Sequence, residues 1–196
     1  MSDGVSYPHA DPRRYEKLLV HAERRLGPVV RGEGATVDGR NRGFGIGFHE
    51  HPEYDMVSLA TTGVRFQQIT GPCPEEFVIS ARPGQEREAA YLLHVVADRA
   101  VRSGKGFEYG GGYVNAEPLI PGTGIEFLLA SSHPYVEDLD LFYDDQGELA
   151  LRYITMIPAT RAEFELVREH GDDEALRDLW ESRDTDLLDI YRTSAV

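Results

Sequence analysis

The segment RYITMIPATRAEFELVREHG, Arg152 to Gly171, decides the fold. From Leu149 to Ile157 the residues are mostly β-branched, aromatic or long aliphatic, the composition of a buried strand. Pro158 brings no amide to a sheet ladder, so the strand is expected to stop there. Thr160-Arg161-Ala162-Glu163 then matches a capping box, in which a Thr hydroxyl and a Glu carboxylate take up the first free amides of a helix. The helix should run from Thr160 to Gly171, where a residue tolerant of positive φ is the usual stop.

Outward from this junction, short β-prone runs alternate with two clear amphipathic helices. Asp11-Pro12 opens the first helix, with Tyr15, Leu18, Leu19, Ala22 and Leu26 at helical spacing and Gly27-Pro28 behind them. The second, Gln85 to Ser103, carries Ala89, Leu92, Leu93, Val96, Ala97 and Ala100 on one stripe. Strands are predicted at Phe44 to Phe48, Met56 to Thr62, Val64 to Ile69, Glu75 to Arg82, Ile125 to Ser131, Leu139 to Tyr143 and Leu149 to Ile157. Asp144-Asp145-Gln146-Gly147 is the turn between the last two. Residues 31 to 43, rich in Gly, Asp and Arg, read as a flexible loop, and Gly71-Pro72-Cys73-Pro74 as a turn. Asp172 to Trp180 is a further helix, and Asp186 to Ile190 a final apolar anchor. One α+β domain spanning 1 to 196 is expected, with helices packed on a largely antiparallel sheet.

Composition removes several functions. The chain has 196 residues and a formal net charge of −14. Residues 1 to 136 hold 17 acids and 14 bases, whereas residues 137 to 196 hold 17 acids and 6 bases. Such a field repels nucleic acid and anionic membranes and speeds encounter with a basic protein. No apolar run approaches the roughly 20 residues of a membrane span, and MSDGVSYPHADPRR has no signal-peptide core, so a cytoplasmic location is expected. One cysteine, Cys73, excludes an internal disulfide and a multi-thiolate zinc site.

The glycines do not form a nucleotide loop. Phe44-Gly45-Ile46-Gly47-Phe48 is followed by His49-Glu50-His51-Pro52, which opens no helix for a dinucleotide. Around Lys105 the phosphate-loop pattern lacks its first glycine and its Ser or Thr. There is no Gly-x-Ser-x-Gly, and Cys73 has no neighbouring cation in sequence to activate it. Adjacent acids such as Glu75-Glu76 point to opposite sides of a strand and make no dyad. The metal candidate is His49 with His51, Asp55 nearby and His133 as a fourth donor, set against the plainer reading of structural histidines. Asp138, Asp140 and Asp144 are expected on one face of a strand, opposite Leu139, Leu141 and Tyr143. That row is either a guard against edge aggregation or part of a protein-binding face.

In order and spacing, Ser58 to Gly63, Glu75 to Ile79, the helix Glu88 to Arg102, Met156 to Glu163 and Asp186 to Arg192 resemble the bacterial suppressor-of-fused-like domain over about residues 45 to 192. The most specific pieces are the I-P-x-T-x-x-E junction and the downstream D-L-L-D-x-x-R. The resemblance implies an α+β protein-binding module with no catalytic residues and no cofactor. It also implies a bacterial immunity protein that covers a secreted toxin, and the acidic C-terminal third adds the expectation that the toxin is basic. Its rivals are a small metal-dependent enzyme using His49 and His51 and a domain that binds a small ligand in an apolar pocket.

Overall fold

A computed structural model describes residues 11 to 196 together with the backbone of Val5–Ser6. The remaining part of the opening segment read for a signal peptide lies outside the described residues. Among the described residues eight strands form the main sheet: β1 (Val29–Glu33), β2 (Gly45–Glu50), β3 (Val57–Thr62), β4 (Glu75–Ala81), β5 (Gly112–Val114), β6 (Ile125–Ser131), β7 (Leu141–Tyr143) and β8 (Leu149–Thr160). The helices are α1 (Leu18–Leu26), α2 (Glu86–Ser103), α3 (Arg161–His170) and α4 (Glu174–Ser182).

The strand order is β1-β2-β3-β4-β8-β6-β5. Every pair is antiparallel except β4 with β8, which α2 and the rest of the intervening chain connect. The long strand β8 is the spine. Arg152 pairs both Glu75 of β4 and Leu141 of β7, whereas Thr155 pairs both Val78 of β4 and Ser131 of β6. Strands β7 and β6 therefore share one edge of β8, end to end, opposite β4.

Strand alternation sends successive residues to opposite faces. Leu59, Phe77, Ile79, Leu128, Ile154 and Met156 bury themselves against the Ala89, Leu92, Leu93, Val96 and Ala97 stripe of α2. Their neighbours Ala60, Val78 and Tyr153 meet Leu18, Ala22 and Leu26 of α1 on the other face. At the far end of that second face, Phe127, Leu129, Ile157 and Ala159 pack on Val167, Leu176 and Trp180 of α3 and α4. The result is helix, sheet, helix in three layers, an α+β domain.

Four expectations need correction. Strand β8 runs through Pro158 to Thr160, with Pro158 opposite Leu128. The Pro158 carbonyl, on the strand edge that the missing amide would occupy, accepts from Arg192 at 3.0 Å and not from a strand, so no ladder bond is lost. Val64–Phe66 is a 3-10 turn, because Gly63 has φ of 115° and the amides of Gly63, Val64 and Arg65 all point at the Glu76 carboxylate. Residues 31 to 43 hold the end of β1 and a small hairpin, Thr36–Val37 with Arg40–Asn41, turned by Asp38 and Gly39 at positive φ. Strand β5 starts at Gly112, the last of the run Gly110-Gly111-Gly112, which reads in sequence as a flexible turn. Gly112 packs so closely that a Cβ there would lie 2.0 Å from the Leu128 carbonyl.

Candidate protein-binding face

The row of three aspartates does not form. Asp138 sits in a turn at φ of 56°, and the strand starts only at Leu141. With that start the pleat is inverted: Phe142 is buried, while Leu141 and Tyr143 are exposed. Asp144 accepts from Arg14 Nε at 2.8 Å and from the amides of Gln146 and Glu148, tying the hairpin turn to the 3-10 turn Pro12–Tyr15 that precedes α1. Asp140 is half-buried, accepts from the His133 amide at 3.2 Å, and burial pushes its carboxyl up. Of the three only Asp138 is exposed, on a cleft beside α1 that also carries Lys17, Arg24 and Arg25. The local field there is mixed, not acidic.

The histidines are absorbed by the scaffold. His49 is buried, its Nδ1–H donates to the Gly27 carbonyl at 2.8 Å, and burial lowers its pKa. His51 Nδ1 accepts from the amides of Glu53 and Tyr54, and its ring stacks on Tyr54 at 4.4 Å. His133 Nδ1 accepts from the amides of Tyr135 and Val136. The neutral ring therefore carries its proton on Nε2, which donates to Ser80 Oγ at 2.8 Å, and Ser80 Oγ meets Ser58 Oγ at 2.7 Å. Burial lowers the His133 pKa to about 4. Among the described residues no group of three or more His, Cys, Asp or Glu is placed to hold a metal ion. Cys73 is buried, and burial pushes its thiol up to about 11, the opposite of an activated nucleophile.

Three carboxylates are fully buried, each beside an arginine, a burial that sequence patterning did not reveal. Glu75 accepts from Arg152 Nη2 at 2.6 Å, and Gly106 must be a glycine because a Cβ there would fall 2.2 Å from Glu75 Oε2. Glu76 takes Arg65 Nη1 at 2.5 Å and Thr61 Oγ1 at 2.6 Å. As neighbours on a strand the two serve different partners and form no dyad. Glu163 closes the capping box on the Thr160 amide at 2.8 Å and also accepts from Trp180 Nε1, Ala195 N and both Arg192 Nη atoms. Burial would raise its pKa, but Arg192 and the amides outweigh that and leave it lowered. The two most specific sequence pieces, the I-P-x-T-x-x-E junction and D-L-L-D-x-x-R, are thus two halves of one buried ion pair. Their role is architectural.

What those supports present is a groove of about 410 Å³ between the loop after β6 and α4. Tyr135 stands over it, 39% exposed, held from below by the His133 ring and at its hydroxyl by the Leu187 amide at 3.0 Å. Trp180 and Ile157 form its apolar floor, and Glu181, Asp184 and Arg177 its charged rim. On the other side of Tyr135 a second recess holds Tyr54, Asp55, Arg82 and Asp186. Tyrosine is among the side chains enriched at protein interfaces, and a polar rim around an apolar floor is their usual layout. Sequence reading missed Tyr135 because nothing in Ser131-Ser132-His133-Pro134-Tyr135 reveals that a buried histidine organises the turn.

Ion pairs buried in the packing and an exposed groove beside Tyr135 are set on one α+β domain. The description "Suppressor of fused protein (SUFU)" matches residues 44–193, and the chain belongs to that family. Two solved structures share the fold. A SUFU homologue from Neisseria gonorrhoeae FA 1090 superposes with a TM-score of 0.61 at 20% identity, covering 93% of this chain and 97% of that one. A chain of the Sufu-Fu complex superposes with a TM-score of 0.69 at 12% identity, covering 95% and 93%. No curated protein sequence matches.

Proposed function

We propose that the chain is a non-enzymatic protein-binding domain, an immunity protein that covers a basic toxin domain in the cytoplasm through the Tyr135 groove and the acidic surface of α4. The observation that carries the reading is the groove itself, where Tyr135 overhangs an apolar floor beside Glu181 and Asp184. Membership of the suppressor of fused family supports a partner that is a protein, since one structural neighbour is a member of a Sufu-Fu complex. The charge supports a basic partner: 17 acids face 6 bases from residue 137 onward. Asp138 belongs to the same proposal as an outlying acid, whereas Asp140 and Asp144 act through the loops they hold. Among the described residues no helix is long and apolar enough to cross a membrane.

The test is co-expression with the product of the neighbouring gene, which this reading expects to end in a toxin-like domain. A stable complex is expected, with the toxin's activity suppressed and with Tyr135→Ala together with Asp184→Lys abolishing both effects. If the toxin domain stays free and active beside a folded chain, the proposal fails.

A further inference from the structure

Strand β1 ends the main sheet, and among the described residues no strand pairs with its outer side. The edge is open to solvent: Val30 is 52% exposed and Val29 37%, with Arg31 and Gly32 exposed beside them. An open edge of unpaired amides and carbonyls is a template for another strand, and proteins commonly blunt it with charge. Here the two charges have opposite signs, Arg31 and Glu33, one on each side of Gly32. Residues two apart on a strand share a face, and both of these side chains are held on the α2 side of the sheet. The Arg31 guanidinium lies 3.6 Å over the Phe48 ring, Glu33 Oε2 meets His94 Nε2 at 3.3 Å, and the two charges are 3.5 Å apart.

What such an edge accepts follows from its symmetry. When a strand pairs antiparallel with a second copy of itself about a two-fold axis, facing residues must both turn their backbone groups outward or both inward. The axis therefore passes through a residue and not between two. Within β1 the choice of that residue is narrow. An axis at Arg31 sets two guanidiniums together and one at Glu33 sets two carboxylates together, and like charges directly opposite destabilise a pair. An axis at Val29 or Val30 runs into a β-bulge, since the register of β1 against β2 shifts between Val29 and Arg31. An axis at Gly32 puts Arg31 of each copy opposite Glu33 of the other. The acidic helices do not oppose this pairing. α3 and α4 pack on β6 and β8, at least four strand spacings of about 4.8 Å from β1, outside the screening length of about 8 Å.

We propose that β1 is a self-association edge: two copies of this chain join antiparallel about Gly32, forming one continuous sheet with two Arg31–Glu33 pairs across the junction and covering Val29 and Val30. Sedimentation equilibrium of the whole chain should show a monomer–dimer equilibrium that weakens as salt rises. Arg31→Glu meets like charge in its own dimer, and so does Glu33→Arg, so each alone should weaken self-association about tenfold or more. Mixing the two variants restores both matched pairs, one chain supplying two acids and the other two bases. That mixture should therefore form a heterodimer of about the parental affinity, and the double variant Arg31→Glu with Glu33→Arg should recover self-association. Recovery on mixing separates a second copy from a foreign strand, and a variant that merely misfolds would not show it. A chain that stays monomeric up to about 1 mM, a dimer indifferent to both reversals, or single variants that fail to recover on mixing would each overturn the assignment.

Discussion

At the residue scale the consequential groups are buried and titratable. His133 is held neutral, with a pKa lowered from 6.5 to about 4 by burial and by the nearby His51. A histidine whose folded pKa is lowered takes up its proton in the unfolded chain first, so stability is full above 6.5 and falls as pH drops toward 4. The loss should reach about 3 kcal/mol by pH 4. Protonation of Nδ1 in the folded chain would also strip the Tyr135 and Val136 amides of their acceptor, so the groove itself should loosen only as pH falls through about 4. Denaturant unfolding at pH 7 and pH 4.5 checks this: His133→Gln should show a smaller drop than the parent, and parallel drops would remove His133 as the cause. Glu163 adds a contribution of the same sign. Its folded pKa is lowered, so its stabilisation is present above the ordinary Glu range and fades as pH falls through the folded value. Arg192→Met leaves that carboxylate buried without its cation, and should cost about 3–5 kcal/mol in chemical denaturation at pH 7.

At the scale of elements, the junction of β8 and α3 is where the sequence was most legible. Thr160 Oγ1 accepts from the Glu163 amide and the Glu163 carboxylate from the Thr160 amide, as the spacing required. Thr160→Ala should lower stability by about 1 kcal/mol, read as a shift in the denaturant midpoint; an unchanged midpoint would deny the cap any energetic role. The stripe on α2 and the stop at Gly171 were legible for the same reason, that local periodicity and capping chemistry act within one or two turns. The elements misread depend on groups distant in sequence. Val64–Phe66 turns because Glu76 collects its amides, β8 continues through Pro158 because Arg192 takes the carbonyl, and β7 starts late because Asp138 turns. The site followed the same rule. An acidic bias was visible in composition, but which acids stay exposed depends on Arg14 reaching Asp144 and on the loop amide reaching Asp140.

At the scale of the whole molecule, the charge is concentrated on the helices α3 and α4 and the chain that follows. Glu169, Asp172, Glu174, Asp178, Glu181 and Asp184 are exposed there, while Glu163 is neutralised inside. Exposed charges at the rim of an interface act mainly on encounter, and their reach is about 8 Å at physiological ionic strength. With a basic toxin domain as partner, association should therefore be fast at low salt and slow steadily as salt rises. Reversing Asp178 and Glu181 to Lys should cut the association rate about tenfold at low ionic strength and leave dissociation nearly unchanged. Tyr135→Ala should do the reverse, because an aromatic seated in a groove is lost at the dissociation step. Stopped-flow binding over a salt series separates the two effects. An association rate that is flat in salt would reduce the acidic helices to a solvated surface, and a Tyr135→Ala variant with parental dissociation would move the contact away from the groove.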